Sequence, residues 1–574
     1  MCGIAAVCGP GSTEQALHAM VAAQRHRGPD DEGIHMDPAG ALGLGHTRLS
    51  IIDLSSAGHQ PMASADGTLW IAFNGELYNY LELRAELDDY PFRSRTDTEV
   101  VLAAWQRWGE RCLDRFVGMF AFAIWDASSR ELVAVRDRFG VKPLYLRRTR
   151  DGGLLASELQ ALHAAGVPRR PDETTWATYL ASGLYDHTPR TFWEGVEQVA
   201  PGGLVRWSPS DGWRDATWYD PAEAVLARGV DERGATEVAD EALALLQESV
   251  RLRFRSDVPV GICLSGGLDS SLLLALVTEL RGPDSDVGTF TFYCGDPEYD
   301  ETPWVEKMLG HTHYPWHRAR LDAADVPALA ARMQFHQGEP FGGMPTLGMG
   351  RVHETAHEHG VTVLLDGNGL DEGWAGYDYY QRAAEVDASR GPVQGSKSSA
   401  VGSGCLVPGF GGLAEPFEAP TPFGDPLRDL QLRDLRCAKI PRATRFSDRA
   451  AMMWSREGRE PFLDHRLIEL GLRQPAEHKL RNGSGKWLMR QVAKDLVPAD
   501  LSFAPKRPVQ TPQREWLRGP LASWADGQIE RALAGWGRDW LDGAEVRKAW
   551  RHYREVGADN SFPVWQWVNL GLMQ

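Results

Sequence analysis

The stretch LSGGLDSS (residues 264–271) joins the apolar run VPVGICL (258–264) to SSLLLALVTEL (270–280). A run of strand length, two glycines and a longer apolar run opening on small hydroxyl residues read as strand, turn and helix. Gly266 and Gly267 let the backbone approach an anion closely, and the N–H groups of the turn and the helix start then face it. Gly266, Gly267 and the N–H groups that follow them are thus candidates for holding a nucleotide's phosphates. Asp269 would be repelled by phosphate, but it suits a Mg²⁺ ion as a hard oxygen ligand.

Outward from this loop, ATEVADEALALLQESVRLRF (235–254) has helical apolar spacing. VGTFTFYC (287–294) and VTVLLDG (361–367) are buried-strand candidates between helical segments. The alternation predicts a parallel α/β domain. Residues 391–427 are rich in Gly, Ser and Pro and read as a long loop or insertion, and the chain from 428 onward reads as mostly helical.

The first 205 residues read differently. ALGLGHTRLSIID (41–53), LWIAFNGELYN (69–79), MFAFAIWD (119–126) and ELVAVRD (131–137) are strand-like runs broken by Gly, Asn and Asp. Helical spacing appears in STEQALHAMVAAQRH (12–26) and DTEVVLAAWQRWG (97–109). Packed sheets with covering helices are expected. RWSPSDGWRDATWYDP (206–221) is rich in turn formers and reads as a linker.

At 574 residues the chain exceeds one ordinary core. A net charge of −17 with no Lys/Arg run excludes a typical nucleic-acid or anionic-membrane binder. No segment approaches the ~20 apolar residues that span a bilayer, and no secretory signal is apparent. Seven scattered cysteines without a C-x-x-C pair argue for reduced thiols and a cytoplasmic protein. The 21 tryptophans are expected to serve packing.

Two motif fragments read as decoys. NGSGKW (482–487) lacks the Walker A spacer, and Trp487 stands after Lys486. HETAH (353–357) matches a zinc-helix pattern without a well-spaced third ligand, so a solvated helix face is expected instead.

The amino terminus, MCGIAAVCGP, raises the second chemical possibility. Cysteine is small enough for the preceding methionine to be removed, which would leave Cys2 with a thiol and its own α-amine as base. With CGI at the start, RHRGPD (25–30), RLSIID (48–53), NGELYN (74–79), TDTE (96–99) and RDRFGVKPLY (136–145) together resemble a class II glutamine amidotransferase domain. LSGGLDSS resembles the ATP loop of pyrophosphatase-type enzymes. The order along one chain is similar to the glutamine-hydrolysing asparagine synthetase family.

The resemblance implies an α+β N-terminal-nucleophile domain over 2–215, an antiparallel β-sandwich flanked by helices. It implies an ATP-dependent amide-forming domain over 236–574, an α/β parallel-sheet ATP-pyrophosphatase fold with a helical C-terminal part. In the first, Cys2 would be the nucleophile, Asn74 and the Gly75 N–H the oxyanion hole, Arg48 the partner of the glutamine α-carboxylate, and Glu76 and Asp97 the partners of its α-ammonium. In the second, ATP and Mg²⁺ would bind at Leu264, Ser265, Gly266, Gly267, Asp269, Ser270, Ser271 and Gly367, with Asp371 the second metal carboxylate. Lys506, in APKRPV (504–509), would stand near the reacting phosphate. The implied partners are glutamine, ATP and a carboxylate acceptor, without nucleic acid or membrane, and a homodimer is compatible with the family.

One departure bears on the product. Where the family tends to read S-G-E-G-x-D-E, this chain reads Asp366-Gly367-Asn368-Gly369-Leu370-Asp371-Glu372. Asn368 can neither act as a base nor offer a negative charge. The acceptor is therefore either aspartate, as in the family, or another carboxylate. Cyclisation of an acyl chain and a non-catalytic nucleotide sensor are further readings, and a complete glutamine motif set counts against the first of these.

Overall fold

The structure is a computed structural model that describes residues 1–10, 13–385, 403–504, 511–556 and 560–574. Two six-stranded antiparallel sheets form the N-terminal part. One carries Gly3–Cys8 between Leu42–Arg48 and Gly153–Ala156, and the other carries Leu69–Leu77 beside Gly118–Asp126. Alternation decides which face each residue joins. Ile4, Ala6 and Cys8 meet Ala121, Ala123 and Trp125 in the core between the sheets. Ala5 and Val7 point the other way, against Leu17, Met20 and Val21 of the helix Glu14–Ala23. The outer face of the second sheet is covered by the helix Asp97–Trp108, whose Val100, Val101 and Ala104 are buried there. The result is the expected β-sandwich flanked by helices.

The expected linker at 206–221 is instead part of the sandwich. Gly203–Ser208 and Gly212–Thr217 pair as an antiparallel hairpin at the edge of the second sheet. The turn formers Pro209, Ser210 and Asp211 close that hairpin rather than joining two domains.

The C-terminal part is built on five parallel strands in the order Trp316–Arg320, Gly288–Tyr293, Val260–Cys263, Val363–Leu365, Glu457–Arg459. Such a sheet needs cover on both faces. The helices Ala235–Arg253 and Leu268–Arg281 bury Leu246 and Leu272 against Ile262 and Leu365. Met344–Glu358 covers the opposite face with Val352 and Ala356 against Phe290 and Leu364. The fifth strand lies within the tail that was expected to be mostly helical. Beyond it, C-terminal helices bury Trp540, Trp550, Trp565 and Trp567 in one core with Trp176, Tyr179 and Phe192 of the N-terminal part. Several tryptophans thus serve packing, here across the junction of the two parts. No described helix is long and apolar enough to cross a membrane. Of the Gly/Ser-rich stretch, residues 386–402 lie outside the described residues.

Candidate active sites

The first site gathers at the start of Gly3–Cys8. The backbone N of Cys2 donates to Asn74 Oδ1 at 3.0 Å, and the Gly3 N–H donates to Thr47 Oγ1 at 3.1 Å. Asn74 and Gly75 lie in the strand Leu69–Leu77, with Gly75 opposite Phe120. A Cβ on Gly75 would fall 2.2 Å from the Met119 carbonyl, so the close approach requires glycine there. Arg48 ends the strand Leu42–Arg48, and its guanidinium donates to the carbonyls of Ser55 (2.8 Å) and Asp53 (2.5 Å). This fixes the loop that follows while leaving a cation in the site.

The acidic partners are buried together. Asp97, the first residue of its helix, accepts from the N–H groups of Leu77 and Thr98, both at 2.8 Å. Burial nevertheless pushes its carboxyl up to about 6 against those two hydrogen bonds. Glu76 is raised well above its ordinary range by burial and the neighbouring charge of Glu457, opposed by Arg459. Burial likewise raises the Cys2 thiol, opposed by the amino terminus and Arg48. A site with Arg48 on one side and two buried carboxylates of raised pKa on the other, with Arg459 3.3 Å from Glu76, suits a zwitterion whose ammonium would offset the carboxylate charge.

The second site is a cavity of about 410 Å³ at the carboxyl ends of the parallel strands. Leu264, Ser265, Gly266, Gly267, Asp269, Ser270, Gly367 and Asp371 all line it. Ser271 does not. It is buried in the helix, and its hydroxyl has no hydrogen-bond partner. Gly266 adopts φ +67°, and a Cβ there would strike Trp304 at 2.6 Å. Gly267 stands at the helix start without a side-chain cap, so the first N–H groups of Leu268–Arg281 are available to an anion.

Lys506 lies outside the described residues. Another lysine stands in the cavity, from the stretch read as a decoy. Lys486 Nζ lies 2.5 and 2.6 Å from the Asp269 oxygens and 2.6 Å from Asp371 Oδ1. Burial works against its charge, but Asp269 and Asp371 outweigh it and raise its pKa. Two carboxylates meeting at one cation are a hard-oxygen donor set that fits Mg²⁺. Arg490, one helical turn on, also lines the cavity and donates to the Ser502 and Ala504 carbonyls at 2.7 and 2.9 Å. The available signal for both was a Gly-Lys pair opening a short, largely buried helix, Trp487–Ala493.

HETAH also differs from its expected solvated face. His353 is buried against the cavity, where burial pushes its imidazole down to about 3, while His357 is exposed. Among the described residues, His26, Glu158 and His336 come within 4.8 Å of one another. Arg27 donates to the same Glu158 at 2.7 Å, so this carboxylate is already paired with a guanidinium.

One strand touches both sites. Arg459 lies 3.3 Å from Glu76 of the first site and 2.6 Å from Glu457. Lys142 of the sandwich reaches the Gly458 carbonyl at 3.4 Å. Glu460, the next residue along, faces Asn368 of the second site. Arg27 pins the two parts together behind this strand, donating to Asp448 at 2.8 Å.

Comparison with known proteins agrees with this two-site chain. Residues 1–219 match the family described as "Glutamine amidotransferase domain", and residues 241–574 match "Asparagine synthase". The chain is 29% identical to asparagine synthetase [glutamine-hydrolyzing] 1 of Bacillus subtilis, over 88% of this chain and 85% of that one. It is 30% identical to a putative asparagine synthetase of Mycobacterium bovis, over 98% and 95%. It is also 30% identical to "Amidase chyE" of Penicillium rubens, over 91% and 90%.

Proposed function

The chain belongs to the asparagine synthase family, a glutamine-dependent, ATP-driven carbon–nitrogen ligase by its two domains, and on that premise we propose how its residues divide the reaction. Once Met1 is removed, Cys2 attacks the glutamine amide with its own α-amine as base. Asn74 and the Gly75 N–H receive the charge that develops on the amide oxygen. Arg48 holds the α-carboxylate, and Glu76 and Asp97 hold the α-ammonium. Water then releases glutamate, and ammonia passes to the second site.

There a carboxylate attacks the α-phosphorus of ATP and displaces pyrophosphate, because a free carboxylate is a poor electrophile. The loop 264–271 and Gly367 bind ATP. Asp269 and Asp371 would hold Mg²⁺, which when bound offsets charge on the phosphates. Lys486 adds a fixed positive charge at the same point, a role the resemblance had suggested for Lys506. Ammonia then displaces AMP from the acyl carbon and leaves an amide.

The observation that carries the coupled reading is the strand Glu457–Arg459, a single element between a buried thiol site and a nucleotide cavity. Aspartate is the first acceptor to consider, given the asparagine synthetases among the relatives. Asn368 and the relative named an amidase favour another carboxylate as the second reading. Incubation with glutamine, Mg-ATP and aspartate, followed by mass spectrometry, decides between them. Equal asparagine, AMP and pyrophosphate identify aspartate. AMP formed only with another acid in a panel of carboxylic acids identifies the second reading. Ammonia without AMP under any acid would refute both.

A further inference from the structure

The adenylation reading leaves one proton without an acceptor. When ammonia attacks the acyl carbon, a C–N bond forms, the C–O bond to AMP breaks, and nitrogen carries an excess proton. Asn368, on the cavity wall, has no basic atom to take it.

Glu460 lies immediately behind Asn368. It is 4% exposed, yet its Oε2 is buried without a hydrogen-bond partner. An orphaned carboxylate oxygen in a protein interior is unfavourable unless a donor visits it. Ser447 donates to Oε1 from 3.5 Å. The charged and polar groups facing the carboxylate are Asp366, Lys142, Asn368 and Ser447. Burial pushes it up to about 8, Asp366 adds to the rise, and Lys142, Asn368 and Ser447 oppose it. A proton acceptor works best with a pKa near the working pH. Asn368 itself donates to Asp366 Oδ2 at 3.2 Å. A glutamate at 368 would bring a third carboxylate against Asp366 and Glu460, so an amide at 368 and an acid at 460 are compatible as a pair. Glu460 also continues the strand whose Gly458 carbonyl meets Lys142 of the sandwich, so it lies behind the Asn368 wall of the cavity, toward the sandwich.

We propose that Glu460 is the base that takes the proton from the nitrogen nucleophile as the amide forms, with Asn368 as its positioning residue. Acyl-adenylate, ammonia and the Glu460 carboxylate give amide, AMP and the Glu460 carboxylic acid, which returns its proton to water. The proposal rests on the adenylation reading above.

The test separates the two steps in the full-length protein. ATP–pyrophosphate exchange reports adenylation with no nitrogen nucleophile present. Hydroxamate formation from hydroxylamine, which stays uncharged above neutrality, reports nitrogen attack. The acid is aspartate or the first of the panel to support AMP formation. Wild-type hydroxamate formation rises with pH to a plateau above about 8, as the base becomes ionised. E460Q keeps exchange, lowers hydroxamate formation by about 10²–10⁴-fold and loses the pH limb. E460Q/N368E regains part of the rate, because a carboxylate returns to the same corner. E460D keeps the pH limb at a reduced rate, and it supplies the test if the glutamine variant does not fold. An E460Q enzyme with an unchanged rate and profile overturns the proposal. So does one that loses exchange as fully as hydroxamate formation. Wild-type protein without exchange for any acid instead sinks the adenylation reading, and the proposal with it.

Discussion

The α-ammonium of Met1 lies 3.5 Å from Glu457 Oε2, and both groups are fully buried. Met1 thereby extends from the thiol site toward the edge strand of the parallel sheet. While it is present, the nitrogen of Cys2 is a peptide N–H, held by Asn74, and cannot serve as a base. Glutamine hydrolysis should therefore scale with the fraction of chains lacking Met1, read by intact-protein mass against glutamate release. A preparation retaining Met1 throughout should use ammonia but not glutamine. Cys2→Ala should behave the same way even after methionine removal. Normal glutamine use by either protein would remove Cys2 from the nucleophile's role.

Lys486 joins Asp269 and Asp371, which are separated in sequence but converge on one nitrogen. On the proposed reading Lys486→Ala removes a fixed charge from the phosphate site, and such a loss lowers turnover by about 10²–10³-fold. It should reduce ATP–pyrophosphate exchange by that factor and leave glutamine hydrolysis intact. Lys486→Arg should not rescue fully, since a planar guanidinium cannot sit as a point charge between two carboxylates. Exchange at the wild-type rate in the alanine variant would show that the lysine only fills the site.

Much of this arrangement was legible along the chain, and the failures have physical reasons. Apolar runs such as LWIAFNGELYN (69–79) and MFAFAIWD (119–126) announce buried strands, and the glycines of 264–271 announce a turn at an anion. The hairpin at 203–217 was hidden because its turn formers sit between strands whose pairing with Leu132–Val135 is long-range. The strand Glu457–Arg459 is three residues long, too short for any periodicity to show. Lys486 was missed for a related reason: its partner Asp269 is 217 residues away, and only the fold joins them. Glu460 lies in REPFLDHRLIEL (459–470), a stretch that resembles the family with largely structural value, and its own character comes from burial beside Asp366.

Arg27 is the hinge pin between the halves, fully buried between Glu158 at 2.7 Å and Asp448 at 2.8 Å. Removing one member of a buried ion pair costs about 3–5 kcal/mol, because the other charges stay buried. Arg27→Ala should lower the thermal midpoint and separate one unfolding transition into two, seen by calorimetry. Burial raises the Asp448 carboxyl, but Arg27 and Arg449 outweigh it and hold it below the usual range. A depressed carboxylate stabilises above its unfolded pKa of about 4 and loses that contribution as pH falls through the folded value. Acidification below about pH 4 should therefore destabilise the wild type more steeply than Asp448→Asn. Identical acid slopes would show that this pair does not set the junction's stability.

Asp97 gives the glutamine site its own pH dependence. Its carboxyl, pushed up to about 6 by burial, is neutral in the more acidic range and charged above it. Only the charged form attracts an ammonium, so the KM for glutamine should rise as pH falls below about 6 while kcat at saturation changes less. Asp97→Asn should raise KM by about 10–100-fold, the value of a charge-assisted hydrogen bond, and should flatten this profile. The linkage has a second consequence. Glutamine's ammonium stabilises the charged forms of Asp97 and Glu76, lowering both from their raised values in the free site. Binding near pH 6 must then release protons. Calorimetry of glutamine binding to Cys2→Ala in two buffers of different ionisation enthalpy should show that release. The signal should shrink in Cys2→Ala/Asp97→Asn, and its persistence at full size would assign the titration to Glu76 alone.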